Sequence, residues 1–333
     1  MPTWSGSVAS KFTHATAFAL TIAPPRLNLP TMLKRILQTI SAVTAFLATT
    51  LLAADVTSNP PPQLVRPPGL ADYPFFPFCI DWHDSKKRNF EQQAEMLKEL
   101  GYAGVGHIWL DKVEERIKTL DAAGLKLYQI TMVVEVAPGK TPYDANRFKE
   151  VCAAIKGRHV QFCLLLNGEK PSDPSVDPHA VEILREMSDQ AKDSGSQLLL
   201  YPHQGSWVER IEDSVRVADK VDRPNVGVMF NLCHWLRVDK SRDYKSLLKQ
   251  AMPRLWAISL NGADDFDPNP GWDHYIQPLD KGSFDVGKLL KTLKELGYKG
   301  PIGLQCYGIG GDTRDHLARS MAAWQKLSAN LND

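Results

Sequence analysis

Polar side chains that could do chemistry follow eight short apolar runs of the chain. In chain order they are Asp81 with Trp82, His107, Glu135, Asn167, Tyr201 with His203, Asn231 with His234, Ser259 with Asn261, and Gln305 with Tyr307. Imidazoles and carboxylates can take up or release a proton during a reaction, whereas amides and hydroxyls supply neutral hydrogen bonds. This mixture of side chains favours acid–base chemistry on a polar small molecule.

The apolar runs have the spacing of strands that alternate with helices. They are Phe76–Ile80, Ala103–Trp109, Leu125–Val134, Val160–Leu166, Gln197–Leu200, Val226–Phe230, Leu255–Leu260 and Pro301–Leu304. Amphipathic helix patterns fill the intervals, so each run is expected to be the strand of a βα unit rather than of a hairpin. Eight such units predict an α/β fold, a single (β/α)8 TIM barrel, whose chemistry gathers at the C-terminal ends of the strands. The polar residues at the run ends are therefore predicted to meet at one rim.

Composition limits the class of partner. The 333 residues include 39 Lys and Arg and 38 Asp and Glu, which gives a formal net charge of +1 at pH 7. Without a strong global field the chain is not expected to bind nucleic acid or an anionic membrane, and a small molecule is the predicted partner. The five cysteines are scattered along the chain, which is typical of small buried hydrophobic residues rather than of a disulfide framework or a zinc knuckle. The sequence leaves the oligomeric state open.

The N-terminal part differs in character from the rest. Residues Met32–Ala54 carry two cations, then an apolar stretch, then small residues, which predicts a secretory signal peptide and an exported protein, periplasmic or secreted. A retained membrane anchor is the alternative, because the apolar stretch is marginal for a membrane span; after signal removal no membrane association is expected. Since the signal begins at an internal methionine, residues 1–31 are interpreted as an upstream extension preceding the true start. The proline-rich residues 55–70 are predicted to form a linker to a barrel domain over residues 71–333.

The segment from Leu198 to Trp235 carries the most specific motif. One predicted strand is followed by Tyr201-Pro-His203, and after a predicted helix a second strand is followed by Asn231-Leu-Cys-His234. In order and spacing this resembles the xylose isomerase-like TIM barrel superfamily, in which a strand ending in Glu-Pro-His (or Asn) precedes one carrying Asp, two residues and His. That superfamily includes sugar phosphate isomerases and epimerases and the related endonuclease IV-type enzymes. The resemblance covers the barrel from about Phe75 to Leu327.

The resemblance also implies a metal site whose ligands this chain lacks. Members with a catalytic metal hold it with a glutamate, an aspartate, a histidine and a glutamate on the fifth to eighth strands; the matching positions here are Tyr201, Asn231, Ser259 and Gln305. Hard divalent cations depend on carboxylate charge, which amides and hydroxyls replace poorly, so we expect no cofactor at the family's metal site. The alternative is a divalent metal, such as zinc, held outside the family pattern by His107, His203 and His234.

The expected site combines the resemblance with the residues at the rim. His203 and His234 stand where the family contacts substrate, so the catalytic base is expected to be one of these histidines or Glu135. The residues expected to bind substrate are Asp81, Trp82, His107, Tyr201, Asn231, Asn261, Gln305 and, in the turn after the seventh strand, Lys281. Trp82, Trp207 and Trp235 are the candidate apolar platforms for a sugar ring. For Asp81 and Glu135, an ion pair with a neighbouring lysine or arginine is the alternative.

These features predict an exported enzyme of the sugar phosphate isomerase and epimerase type, acting on a sugar or keto-sugar by proton transfer without the family's metal. A lyase or hydratase of an oxidised sugar would use the same enolate chemistry. A carbohydrate-binding barrel that lacks catalysis would use the same hydrogen-bonding groups. A nuclease is disfavoured, because the endonuclease relatives depend on several metals and on a cationic surface.

Overall fold

The structure, a computed structural model, describes residues 74–265 and 271–329. The predicted upstream extension (1–31), signal peptide (32–54) and linker (55–70) lie outside these residues. Across the described ranges, no helix combines the length and the apolar character needed to cross a bilayer.

Eight parallel strands form one sheet that curls almost into a closed barrel, which confirms the predicted single (β/α)8 architecture. The strands are β1 (Phe75–Phe78), β2 (Gly104–Ile108), β3 (Lys126–Glu135), β4 (Gln161–Asn167), β5 (Gln197–Leu200), β6 (Val226–Asn231), β7 (Leu255–Leu260) and β8 (Ile302–Gln305). They are hydrogen-bonded in the order β1-β8-β7-β6-β5-β4-β3-β2. The first two strands lie side by side, where the Ala103 amide donates to the Phe75 carbonyl at 3.1 Å.

Helices follow the strands around the sheet. They are α1 (Phe90–Glu99), α2 (Val113–Ala123), α3 (Ala145–Ala154), α4 (Asp177–Lys192), α5 (Ile211–Val221), α6 (Leu232–Val238), α7 (Tyr244–Ala251), α8 (Trp272–Tyr275), α9 (Val286–Glu295) and α10 (Thr313–Ala329). Local sequence explains their ends, as α1 illustrates. The side chains of Asn89 and Gln92 each accept the other's backbone N–H at its start, and Gly101 follows its end at φ +80°.

Strand side chains alternate between two apolar layers. Leu198 packs in the layer shared with the helices, whereas Leu199 packs in a second cluster inside the barrel, made of residues in or directly after the strands. Because successive residues of a strand point to opposite faces, Tyr201 belongs to the inner cluster as well. The same period directs three further strand residues inward, namely Asn231, Ser259 and Gln305, and all three are buried.

A chain of amides occupies the interior near the N-terminal ends of the strands. Gln161 pairs in register with Gln129 on one side and Gln197 on the other. Gln129 Nε2 donates to Gln161 Oε1, and Gln161 Nε2 donates to Gln197 Oε1, each at 3.1 Å. A buried amide without a partner destabilises a fold, so mutual pairing lets these three polar side chains occupy the interior. We call them the glutamine chain.

Candidate active site

A cavity of about 310 Å³ opens at the C-terminal ends of the strands. Its aromatic lining comes from Phe78, Trp82, Trp109, Trp272 and Tyr307, and its hydrogen-bonding side chains are Thr131, Tyr201, His203, His234 and Gln305. Among the residues that the structure describes, no Asp, Glu, Lys or Arg lines this cavity. Apolar walls with a few convergent polar groups are typical of a small-molecule site.

Strands β5 and β6 bring two histidines together at the cavity wall. His203 lies just beyond the end of β5, and His234 lies in the first turn of α6, directly after β6. Their ring centroids are 3.9 Å apart, with an angle of 44° between the ring planes. The Trp272 ring meets His234 edge-on at 5.3 Å. The two histidines that the sequence singled out therefore form a contacting pair.

A single residue, Gln204, determines which nitrogen of each ring carries hydrogen. Nδ1 of His203 lies 3.0 Å from the Gln204 carbonyl oxygen, which can only accept, so this nitrogen is the protonated one. Nδ1 of His234 lies 3.3 Å from the Gln204 amide nitrogen, which can only donate, so this nitrogen presents a lone pair. In the neutral rings the two Nε2 atoms consequently differ. Nε2 of His203 can accept a proton, and Nε2 of His234 can donate one.

Both rings are held in the neutral form. Burial lowers the pKa of His203, and the hydrogen bond to the Gln204 carbonyl opposes that shift. Burial also brings the pKa of His234 well below its ordinary value, and the neighbouring His203 lowers it further. Because an imidazole titrates near neutral pH when unperturbed, lowered values leave both rings uncharged at pH 7.

Tyr201 is the centre of a buried hydrogen-bonded set next to the histidines. Its hydroxyl oxygen accepts from Asn231 Nδ2 at 2.7 Å and from Gln305 Nε2 at 3.5 Å. Neither bond uses the tyrosine's own hydrogen. Burial raises the pKa of Tyr201 far above its ordinary value, so the hydroxyl keeps its proton. Since Tyr201 lines the cavity, its O–H can donate to a ligand.

The four positions where the family holds a metal do not fit a divalent cation in this chain. Asn231 Oδ1 accepts from Cys233 Sγ at 3.0 Å and from the His234 amide at 3.3 Å, so it acts as the N-cap of α6. Gln305 Oε1 accepts from the Tyr307 amide at 3.0 Å. Only Ser259 Oγ, of these four side chains, is buried without a partner. One neutral hydroxyl beside amides already in use supplies none of the carboxylate charge that such a cation requires.

His107, the third histidine of the alternative zinc site, is not part of the His203–His234 pair. Its Nε2 lies 2.7 Å from the Asp111 carbonyl oxygen, and its Nδ1 accepts from Arg116 Nε at 3.4 Å. It does not line the cavity. In the described ranges, no group of three or more His, Cys, Asp or Glu side chains is placed to hold a metal ion.

Asp81 is held by Arg116 and does not line the cavity. Arg116 is fully buried and donates to Asp81 Oδ1 and to Gln93 Oε1, both at 2.8 Å. Its guanidinium carbon lies 3.7 Å from the centroid of the Phe90 ring. The ion pair that the sequence left open for Asp81 is therefore present. Asp81 immediately precedes Trp82, which does line the cavity.

Three other sequence-predicted residues lie away from the cavity wall. Glu135 ends β3, and its Oε1 accepts from the Ala137 amide at 3.1 Å. Asn261 Nδ2 donates to the carbonyls of Gly262 and Tyr275, at 2.7 and 2.6 Å. Lys281 is exposed and lines a separate surface groove beside α10. The structure thus brings together Trp82, Tyr201, His203, His234 and Gln305 at the cavity, with Asn231 behind Tyr201.

The aromatic lining differs from the sequence expectation. Trp82 is at the cavity, but Trp207 and Trp235 are buried in the main core. Sequence reasoning missed Trp109 and Trp272 as lining residues. Trp109 directly follows β2, so its position at a strand end was a usable signal, whereas Trp272 reaches the site from the chain beyond β7.

Comparison with known proteins places the chain among related barrels. A family model described as xylose isomerase-like TIM barrel matches residues 94–327. The inosose isomerase of Bacillus velezensis is 22% identical over 236 residues, which cover 66% of this chain and 84% of that protein. A solved structure described as IOLI protein with a binding zinc atom has a TM-score of 0.60 at 18% identity, covering 77% of this chain and 98% of its own. A probable 3-DHS dehydratase from Bacillus anthracis has a TM-score of 0.61 at 14% identity, covering 75% and 98%.

Proposed function

This chain belongs to the xylose isomerase-like TIM barrel family, and on that premise we propose that it is a sugar isomerase or epimerase working by proton transfer without a divalent cation. The observation that carries the proposal is the pair of neutral histidines with opposite tautomers at the wall of a cavity that no charged side chain of the described residues lines. The relationship to an inosose isomerase supports the reaction class.

The base in this proposal is His203. Its Nε2 lone pair removes a proton from a carbon next to the sugar carbonyl, and the C–H electron pair forms a C=C bond. The carbonyl π electrons move to oxygen, which becomes an enolate. His203 is then an imidazolium whose Nδ1–H still donates to the Gln204 carbonyl, so the charge forms on a ring that is already oriented.

The enolate oxygen is stabilised by two neutral donors, His234 Nε2–H and Tyr201 O–H. Both lie in a buried setting, where a hydrogen bond to developing charge is worth more than in water. Asn231 and Gln305 hold the Tyr201 hydroxyl in position from behind. Neutral donors stabilise an enolate less than a divalent ion does, so substrates with an acidic C–H, such as keto-sugars, suit this site. For isomerisation, the enolate oxygen takes the proton of the neighbouring hydroxyl, His203 gives its proton to the former carbonyl carbon, and the new C=O bond forms at the adjacent carbon. For epimerisation, water gives a proton to the opposite face of the original carbon, the C=O bond forms again, and the resulting hydroxide takes the proton from His203.

A second candidate is dehydration of an oxidised sugar. The same enolate can expel a β-hydroxyl: the C=O bond forms again, the C=C electron pair moves to a new double bond between the α and β carbons, the β C–O bond breaks, and the His203 imidazolium protonates the leaving oxygen to give water. The structural similarity to a probable 3-DHS dehydratase supports this second candidate function.

Solvent-deuterium exchange tests the proposal. A panel of neutral aldoses and ketoses is incubated with the protein in ²H₂O with excess EDTA, and loss of carbon-bound proton signals is followed by NMR. Exchange is expected to persist in EDTA, and His203→Gln is expected to slow it about 10²- to 10⁴-fold. The matched control His159→Gln changes an exposed histidine ahead of β4 and should retain the wild-type rate.

Two outcomes count against this assignment. If EDTA abolishes the exchange and zinc restores it, the reaction depends on a metal. If His203→Gln exchanges at the wild-type rate, His203 is not the base. If sugars bind but no sugar of the panel exchanges protons, the protein is a carbohydrate-binding barrel without the proposed catalysis.

We also propose that the protein is exported. The support is the order of cations, apolar stretch and small residues over Met32–Ala54. N-terminal sequencing of the mature protein from the producing cell tests this, and a mature chain that retains residues 32–54 would refute it.

A further inference from the structure

Three large aromatic side chains remain exposed at the opening of the cavity. Trp82 is 50% exposed, Trp109 is 37% exposed and Tyr307 is 45% exposed. In the described part of the chain, only one other large hydrophobic residue is this exposed, Val133. All three aromatic residues line the cavity and Val133 does not. Exposed apolar area is therefore concentrated at one functional opening, which is typical of a binding surface.

The three rings form one contiguous surface. The Trp82 and Trp109 ring centroids are 6.2 Å apart at an interplanar angle of 33°, and Tyr307 meets Trp82 edge-on at 5.7 Å. His83 supports Tyr307 from another side, edge-on at 5.0 Å. We call Trp82, Trp109 and Tyr307 the aromatic shelf.

The backbone that carries the shelf is strained and anchored. Trp109 has φ +70°, a conformation that bulky residues rarely adopt, and its amide donates to the Thr131 carbonyl at 2.8 Å. Cys79, just after β1, has φ +59°. The buried Arg116 fixes Asp81, the neighbour of Trp82. Strain that persists because the surroundings hold it is concentrated at sites where ligands bind.

The lack of charged side chains among the described lining residues determines which class of sugar the cavity suits. A phosphate group is recognised by arginine, lysine or the free amides of a helix N-terminus. No charged side chain of the described residues lines this cavity, and the His234 amide in the first turn of α6 already donates to Asn231 Oδ1. Lys281, the cation expected from the sequence, lies in a different groove. The lining therefore suits a neutral ligand, whereas a sugar phosphate would lose hydration without gaining a partner.

The position of the shelf differs from that of the reacting groups. His234 and Tyr201 are almost completely buried, 4% and 3% exposed, while the shelf is the outermost part of the lining. A single ring held against the histidine pair would leave the shelf in water. A second ring, attached to the first, would cover it through C–H contacts with the aromatic faces, while its hydroxyls remain at the solvent edge.

We propose that the aromatic shelf is a subsite for a second ring, so that the ligands of this protein are neutral glycosides such as disaccharides or their keto derivatives rather than sugar phosphates. This inference rests on the proposed function for the inner end of the cavity. It adds a separate surface with its own specificity.

Matched sugars test the subsite. Calorimetry on the full-length protein compares cellobiose, maltose, lactose and trehalose with glucose, galactose and glucose 6-phosphate. At least one disaccharide is expected to bind roughly tenfold more tightly than its monosaccharide, with glucose 6-phosphate no tighter than glucose. In Trp82→Ala and Trp109→Ala the ratio of disaccharide to monosaccharide affinity should fall toward one. The control Val133→Ala should retain the wild-type ratio, and circular dichroism verifies that each variant is folded.

The outcomes separate this inference from the proposed function. Equal affinities in the wild type, a ratio that the shelf variants leave unchanged, or preferential binding of glucose 6-phosphate would overturn the shelf even where deuterium exchange at the inner site persists. If the ratio of disaccharide to monosaccharide affinity falls to one in the shelf variants while no sugar exchanges protons with deuterium, the subsite is supported and the proposed catalysis is overturned. Absence of binding by every sugar would overturn both.

Discussion

The two ends of this barrel differ in how their buried amides and hydroxyls are paired. Near the N-terminal ends of the strands, the glutamine chain pairs its amides with one another, although the Trp256 indole N–H beside it is buried without a partner. At the C-terminal ends, Ser259 Oγ and Asn261 Oδ1 are buried without partners, and the residues after β1 and β2, Cys79 and Trp109, hold positive φ angles. The aromatic shelf is exposed at that same end.

The difference shows at which end of the barrel amide and hydroxyl atoms remain without hydrogen-bond partners. Paired amides stabilise the fold, while a strained backbone and unpartnered polar atoms cost stability and are retained where a ligand can use them. The asymmetry follows the general division of this fold between a stabilising face and a reactive face. Substitutions at each end should therefore have different signs and different readouts.

The largest effect on stability is expected for Arg116, which holds Asp81 at the C-terminal end of the barrel. Arg116→Met leaves Asp81, whose side chain is 22% exposed, and the buried Gln93 without their common donor, and should lower the free energy of unfolding by about 2–4 kcal/mol because both lose a charge-assisted hydrogen bond. The matched control Arg158→Met removes an exposed pair with Asp121 and should cost less than about 1 kcal/mol. Urea titrations of both variants measure this, and equal losses would show that the Arg116 pair is not special.

The next effect is on activity rather than stability. Tyr201→Phe removes one of the two proposed donors to the enolate oxygen and should slow deuterium exchange about 10²- to 10³-fold. Binding of the unreacted sugar should weaken much less, because the hydrogen bond strengthens as charge develops. Exchange kinetics and calorimetry on the same variant measure the two quantities. Equal losses in rate and in affinity would mean that Tyr201 binds the substrate without stabilising the enolate.

A pair of polar-to-apolar substitutions tests the two ends directly. Gln161→Leu leaves Gln129 and Gln197 without their partners and should destabilise the fold by about 1–3 kcal/mol. Ser259→Ala removes a hydroxyl that already lacks a partner and should leave stability unchanged or raise it by up to about 1 kcal/mol. Chemical unfolding of both variants gives the comparison. A loss for Ser259→Ala as large as that for Gln161→Leu would remove the asymmetry.

The smallest effect concerns pH. The proposed base His203 has a lowered pKa because it is buried, so more than half of it is still unprotonated at pH 6.5, the ordinary value for imidazole. The exchange rate should change less than about twofold between pH 7.5 and pH 6.5 and decline only at lower pH. The glutamine chain does not titrate, so Gln161→Leu should keep the same profile. A half-maximal rate above pH 6.5 would contradict the neutral-base assignment.

Much of the fold could be predicted because it depends on local patterns. All eight predicted strands are present within a few residues of their expected bounds, since apolar runs and helix periodicity are properties of adjacent residues. The rule that a barrel gathers strand ends then located Tyr201, His203, His234 and Gln305 correctly at one cavity. Glu135 and His107 followed the same rule but do not line the cavity. Glu135 accepts from the Ala137 amide, and His107 lies on the opposite face of β2 from Ile108, where it contacts Arg116 of α2.

The sequence by itself determined the barrel, the family and the neutral character of the residues at the family's metal positions, because these are matters of residue type and order. Tertiary structure alone decided which side chains face each other. The opposite tautomers of His203 and His234 depend on the backbone N–H and C=O of Gln204, which contact two rings that follow different strands. The shelf likewise joins residues after β1, β2 and β8. Distances between such segments follow from the packing of the whole barrel, which no local pattern specifies.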